Sequence, residues 1–123
     1  MTVIVTDSGF TPDTARDRFL DLASDTDPDT LDANTPTAIR IHFQSFSDGR
    51  GFTLARLLRL RGFTGKLRAR GHLLADQYAM ARRAGFDEIE IPDDIAARQP
   101  EDQWKARANW RAFDHQNRLR GTD

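Results

Sequence analysis

The sequence predicts a single α/β domain: a mostly parallel sheet of βα repeats resembling an arc of a βα-barrel, with helices mainly on one face and a helix at the C-terminus. Three observations lead there. Residues 39–43, 66–70 and 88–91 alternate apolar and polar side chains with the period of two that a strand imposes. Between them, Phe52–Arg61 and Leu73–Ala84 carry apolar residues at helical spacing, and each is followed by a glycine suited to ending a helix, Gly62 and Gly85. Finally, 123 residues suit one hydrophobic core and would leave two cores thin.

In chain order, Val3-Ile4-Val5 is a short β-type run closed by Asp7-Ser8-Gly9. Asp13 is placed to cap a weakly amphipathic helix over residues 14–23, with Phe19, Leu20 and Ala23 inward. Residues 24–37 are rich in Asp, Thr and Pro and read as an acidic, solvated loop. The unit 38–91 then runs strand, helix, strand, helix, strand with short connections, the pattern of parallel strands joined by right-handed crossovers. Each strand has one apolar face (Ile39, Ile41, Phe43; Leu67, Ala69; Ile89, Ile91) and one polar face (Arg40, His42; Lys66, Arg68, Arg70; Glu88, Glu90). Strands covered on both faces read as continuous apolar runs, so this pattern predicts a polar face open to solvent. Residues 100–119 read as the C-terminal helix, from Glu101 to about Arg118, with acids in its first turn. Its two tryptophans, Trp104 and Trp110, fall on different faces, so either both pack on this chain or one meets another molecule.

The net charge of -1 hides a partition. Residues 1–38 sum to -6, residues 39–91 to +5, and the remainder balances. A locally basic centre suits an anionic ligand, but the whole chain has no field to gather nucleic acid and no aromatic interleaving for base stacking. Without cysteine there are no disulfides, thiol nucleophiles or iron–sulfur ligands, so redox chemistry would need a partner or a diffusible cofactor. No window approaches the apolar length of a membrane span, and no targeting segment is recognisable; the expected location is the cytoplasm.

Ligands of parallel α/β folds sit at the carboxyl ends of the strands. That edge gathers the turn Asp48-Gly49-Arg50-Gly51-Phe52, His72, and Asp93 with Asp94. Arg50, Arg68 and Arg70 are the candidate anion-binding residues, and Asp48 and His72 the candidate acid–base pair. Asp48 is equally explained as a turn or N-cap residue, and His72 as an exposed histidine at a helix start. Asp76 sits poorly inside a helix unless it pairs with Arg50, Arg68 or Arg70. Neither a metal motif nor a nucleotide-binding glycine loop is present, and no particular cofactor is indicated.

The order and spacing of Asp48-Gly49-Arg50-Gly51-Phe52-Thr53-Leu54-Ala55-Arg56-Leu57-Leu58-Arg59, Gly62-Phe63-Thr64-Gly65, Leu67-Arg68-Ala69, Gly71, Asp76-Gln77 and Gly85-Phe86-Asp87 resemble the signature of the bacterial DUF934 family over residues 38–91. Gln44 departs from it, standing where the family leads one to expect proline. The resemblance implies a cytoplasmic role in sulfur metabolism, accessory to assimilatory sulfite reduction, with sulfite reductase as a partner. It supplies no catalytic residues. Two other readings stand beside it: a small oxidoreductase using a diffusible cofactor, as some members are labelled, and a homodimer that uses the polar sheet face as its interface.

Overall fold

The hairpin β1 (Thr2–Thr6) and β2 (Gly9–Pro12) is antiparallel, whereas β3 (Phe19–Ala23), β4 (Ala38–His42), β5 (Leu67–Arg70) and β6 (Glu88–Pro92) run parallel to one another. All six form one sheet in the order β2-β1-β6-β5-β4-β3. The junction between its two halves is the antiparallel pairing of β1 with β6. This computed structural model describes residues 2–13, 18–35, 37–45, 47–108 and 110. The sheet is therefore mixed, with an antiparallel hairpin on one side of a four-strand parallel array.

The central unit matches its sequence pattern. Helix α1 (Arg50–Leu60) and helix α2 (Tyr78–Ala84) follow β4 and β5, and the residues after their ends, Gly62 and Gly85, have φ of +100° and +117°. The apolar residues of β4, β5 and β6 form one buried cluster with Leu54 and Leu58 of α1 and Tyr78 and Ala81 of α2. Helix α2 starts later than the spacing suggested, because residues 75–77 make a tighter 3-10 turn. Within that turn the Gln77 side-chain oxygen accepts the Leu74 N–H at 2.8 Å.

Two expectations need correction, and two elements stand where none was expected. Phe19–Ala23 is a strand and not the end of a helix; residues 14–17 lie outside the described residues. Gly9–Pro12, with no alternating signal of its own, is an edge strand, a position that tolerates proline. The C-terminal helix starts at Glu101 as expected but, as α4 (Glu101–Lys105), gives way to a turn over residues 106–108, and an additional short helix, α3 (Asp93–Arg98), precedes it. The expected continuation from 111 to 119 lies outside the described residues.

Trp104 is 1% exposed, donates its indole N–H to the Gln99 carbonyl at 2.9 Å, and meets Tyr78 edge-on with ring centres 6.4 Å apart. Trp110 is half-buried against the same core, with the Arg82 guanidinium 4.8 Å above its ring. Both tryptophans thus pack on their own chain. Helix α4 also reaches the outer side of β2, where the Glu101 carboxylate accepts the Phe10 N–H at 2.8 Å.

Candidate functional site

Strand register places the polar side chains in rows. Asp21, Arg40, Arg68 and Glu88 are successive partners across β3, β4, β5 and β6, and His42, Arg70 and Glu90 form the next row. Arg40 and Arg68 are thus direct neighbours of like charge, which is unfavourable unless acids intervene. Glu90 intervenes by accepting from Arg40 at 3.1 Å, Arg68 at 2.9 Å and Arg70 at 2.7 Å. The Phe19 ring adds a shared cation–π contact, lying 5.0 Å from the Arg40 guanidinium and 4.4 Å from that of Arg68.

Arg68 is only 1% exposed. Its Nε donates to Glu88 at 2.7 Å, and its Nη1 meets Glu90 and, at 3.4 Å, Asp13. The polar face is therefore not the open surface that its alternation suggested: at its centre a guanidinium is enclosed by three carboxylates and a ring. An external anion at Arg68 would have to compete with these carboxylates.

Towards the carboxyl ends of the strands the network opens. Arg70, 44% exposed, donates through Nε to Glu90 and lies with Nη1 3.3 Å from His42 Nδ1. A guanidinium has donors only, so Nδ1 must accept. The ring proton then belongs on Nε2, which faces the Asp21 carboxylate at 2.7 Å. Two fixed partners define the tautomer of His42 and, through it, the orientation of Arg70. Among the described residues the Nη2 of Arg70 has no partner. Arg70, His42 and Glu90 line a cleft of about 230 Å³ together with Gly71, the exposed His72 and Thr2 of β1.

Gly71 shapes this cleft. Its φ is +145°, and a β-carbon there would fall 2.5 Å from the Phe43 carbonyl oxygen. Only glycine lets the chain leave β5 this close to the end of β4.

The Asp48 turn forms a separate arrangement. Asp48, with its side chain 7% exposed, accepts the Arg50 backbone N–H at 3.3 Å and Arg50 Nε at 3.0 Å, and it takes the hydroxyl of buried Ser24. It thus acts as the turn residue of the α1 start and orients Arg50. Gly51 is required by packing, because a β-carbon would meet the Phe43 ring at 2.4 Å. Arg50 is 58% exposed and borders a depression lined by Ser24, Asp27 and Pro28. Asp48 is engaged by Ser24 and Arg50, whereas His72 lines the Arg70 cleft, and no hydrogen bond joins the two among the described residues. Asp76 pairs with Arg107 at 2.5 Å rather than with Arg50, Arg68 or Arg70.

The candidate site thus joins Arg70 and His72, links Arg68 to Arg70 through Glu90, and leaves Arg50 and Asp48 apart. Sequence reasoning missed His42 and Glu90 as organising groups, although their places in the alternating strands put them on this face. Nothing in the sequence singles out Ser24.

Electrostatics make the network sensitive to acid. Burial alone would raise the Glu90 carboxyl, but Arg68, Arg70 and Arg40 outweigh it and hold it below the usual glutamate range. Hydrogen bonds from Arg40 and His42 lower Asp21 against a smaller opposing effect of burial, and those from Arg50 and Ser24 lower Asp48 well below its ordinary value. Because the folded-state values are depressed, the stabilisation is complete above the unfolded carboxylate range near pH 4 and is lost as pH falls through the lower folded values. Urea midpoints are expected to hold between pH 7 and 5 and to drop between pH 4 and 2. Glu90→Gln should flatten that drop; an unchanged acid limb in this variant would exclude Glu90 as a main contributor.

A family model described as a bacterial protein of unknown function (DUF934) matches residues 20–119. The chain belongs to the DUF934 family. The match reaches beyond 38–91 on both sides, and within DUF934 it takes in β4, β5, β6 and all of β3 but Phe19, and leaves β1 and β2 outside. No curated protein and no solved structure matches the chain. Among the described residues of this DUF934 member, no helix is long and apolar enough to cross a membrane.

Proposed function

We propose that the chain is an accessory protein of assimilatory sulfite reduction that holds a small oxyanion at the mouth of the Arg70 cleft. The pathway rests on the role that family membership implies. The observation that carries the binding site is the half-exposed Arg70 guanidinium, braced by Glu90 and His42, with His72 beside it. A braced guanidinium loses little freedom when it takes up a tetrahedral or pyramidal anion, and arginine suits such ligands. The cleft is smaller than the roughly 300–1,000 Å³ of pockets for drug-sized organic ligands, which favours an inorganic anion over a dinucleotide.

Calorimetric titration with sulfite and sulfate tests the site. Arg70→Ala should abolish binding, while Arg50→Ala, in its separate depression, should leave it intact. Absence of sulfite and sulfate binding by the wild-type protein, or retention by Arg70→Ala, would remove the assignment. Growth of a deletion strain tests the pathway: the strain should grow on cysteine and fail on sulfate. Equal growth on both would refute a sulfur role.

A further inference from the structure

The outer face of the two crossover helices carries a feature unrelated to the anion cleft. On α1, Thr53, Arg56, Leu57 and Leu60 recur at the three- and four-residue spacing that makes one stripe. On α2, Met80, Arg83 and Ala84 do the same. Between the stripes runs a groove of about 630 Å³ whose lining includes Phe52, Leu57, Met80 and Trp110. Met80 is 52% exposed and Leu60 75%. This is apolar surface on helices whose other sides already meet the core.

The charges at its rim decide what it fits. Most arginines among the described residues are engaged internally: Arg40, Arg68 and Arg70 in the sheet, Arg59 on the carbonyls of Phe63, Gly65 and Gly85, Arg82 on Asp7, Arg50 on Asp48, Arg61 on the Pro28 carbonyl and Arg107 on Asp76. Arg56 and Arg83, which both border the groove, have no hydrogen-bond or ion-pair partner among the described residues. The groove wall carries no acidic side chain. An apolar trough flanked by two guanidinium groups that have no partner among the described residues complements an amphipathic helix with apolar anchors on one stripe and carboxylates beside it.

We propose that the α1–α2 groove is a docking surface for an acidic amphipathic helix of a partner protein. Apolar anchors would settle over Leu57 and Met80, and flanking Glu or Asp would meet Arg56 and Arg83. The chain's own residues 111–123 are a poor match by charge, with three arginines and two aspartates, and a second copy would bring Arg56 and Arg83 against each other.

The test uses the full chain and two labelled synthetic helices with the same leucine stripe at i, i+3, i+4 and i+7. One carries Glu at its other positions and the other carries Lys, and binding is followed by fluorescence anisotropy. The Glu helix should bind, less tightly as salt rises, and the Lys helix should not. The double substitution Arg56→Glu with Arg83→Glu touches exposed side chains that have no partner among the described residues. It should leave the circular dichroism unchanged, weaken the Glu helix about tenfold or more and favour the Lys helix. Met80→Ala should weaken the Glu helix without changing the preference. Equal binding of both helices, or indifference to the charge reversal, would overturn the proposal. So would self-association abolished by Met80→Glu, which would put a second copy in the groove. Failure of both helices with Met80 resistant to peroxide would also overturn it, by assigning the groove to the chain's own segment.

Discussion

Arg68→Ala is expected to destabilise the protein by about 3–5 kcal/mol, the range for removing one partner of a buried ion pair. The cause lies in what stays behind. Glu88 and Glu90 would keep their places, 8% and 3% exposed, without the guanidinium that separates them. Set against a total stability of about 5–15 kcal/mol for a domain, that is a large fraction. Arg68→Lys should recover part of the loss, since it restores the charge but cannot fork between two carboxylates. Urea unfolding at pH 7 is the measurement. A loss below about 1 kcal/mol for the alanine variant, the value typical of exposed ion pairs, would mean that this face is solvated after all.

Gly71→Ala should be comparably severe for a different reason. A positive φ of this kind is strained for a residue with a β-carbon, at about 1–3 kcal/mol. The added atom would also press on the Phe43 carbonyl oxygen, which belongs to the backbone and cannot rotate away, for a similar further cost. Because Gly71 borders the cleft, sulfite binding should fall along with the thermal midpoint. Gly49→Ala is the control. Gly49 has an ordinary φ of -76° and open space where the β-carbon would go, so the change should be neutral or slightly stabilising. If the two variants melted alike, close approach at the end of β5 would not be the reason for Gly71.

The contrast between these glycines reflects what could be read in the sequence. The β4-α1-β5-α2-β6 unit was legible because its patterns are local: an apolar residue every second position, then every third or fourth, with glycine at each helix end. The Asp48 turn was legible as a helix start, but its charged pair with Arg50 says nothing of a ligand. Phe19–Ala23 was not legible. Five residues fit either period, and this edge strand is defined by pairing with β4 rather than by its own alternation. The state of the polar face was hidden for a related reason. Its alternation was plain, but Asp13 and Phe19, which close over Arg68, lie about fifty residues upstream of it. Burial supplied from such a distance leaves no trace in the strand that is buried. The cleft was half visible: Arg70 and His72 stand out as charged or titratable residues near a strand end, while the bracing by His42 and Glu90 depends on register.

The contact between Glu101 and the Phe10 N–H has a bearing on solubility. An edge strand with free N–H and carbonyl groups is a template for another chain, and β2 is such an edge. Glu101 occupies one of its donors with a negative charge, and the short helix that carries it is anchored through Trp104. Helix α4 therefore acts as a plug against intermolecular strand addition. At the opposite rim, β3 relies on the charge of Asp21, already engaged by Arg40 and His42, so aggregation by edge pairing would start there.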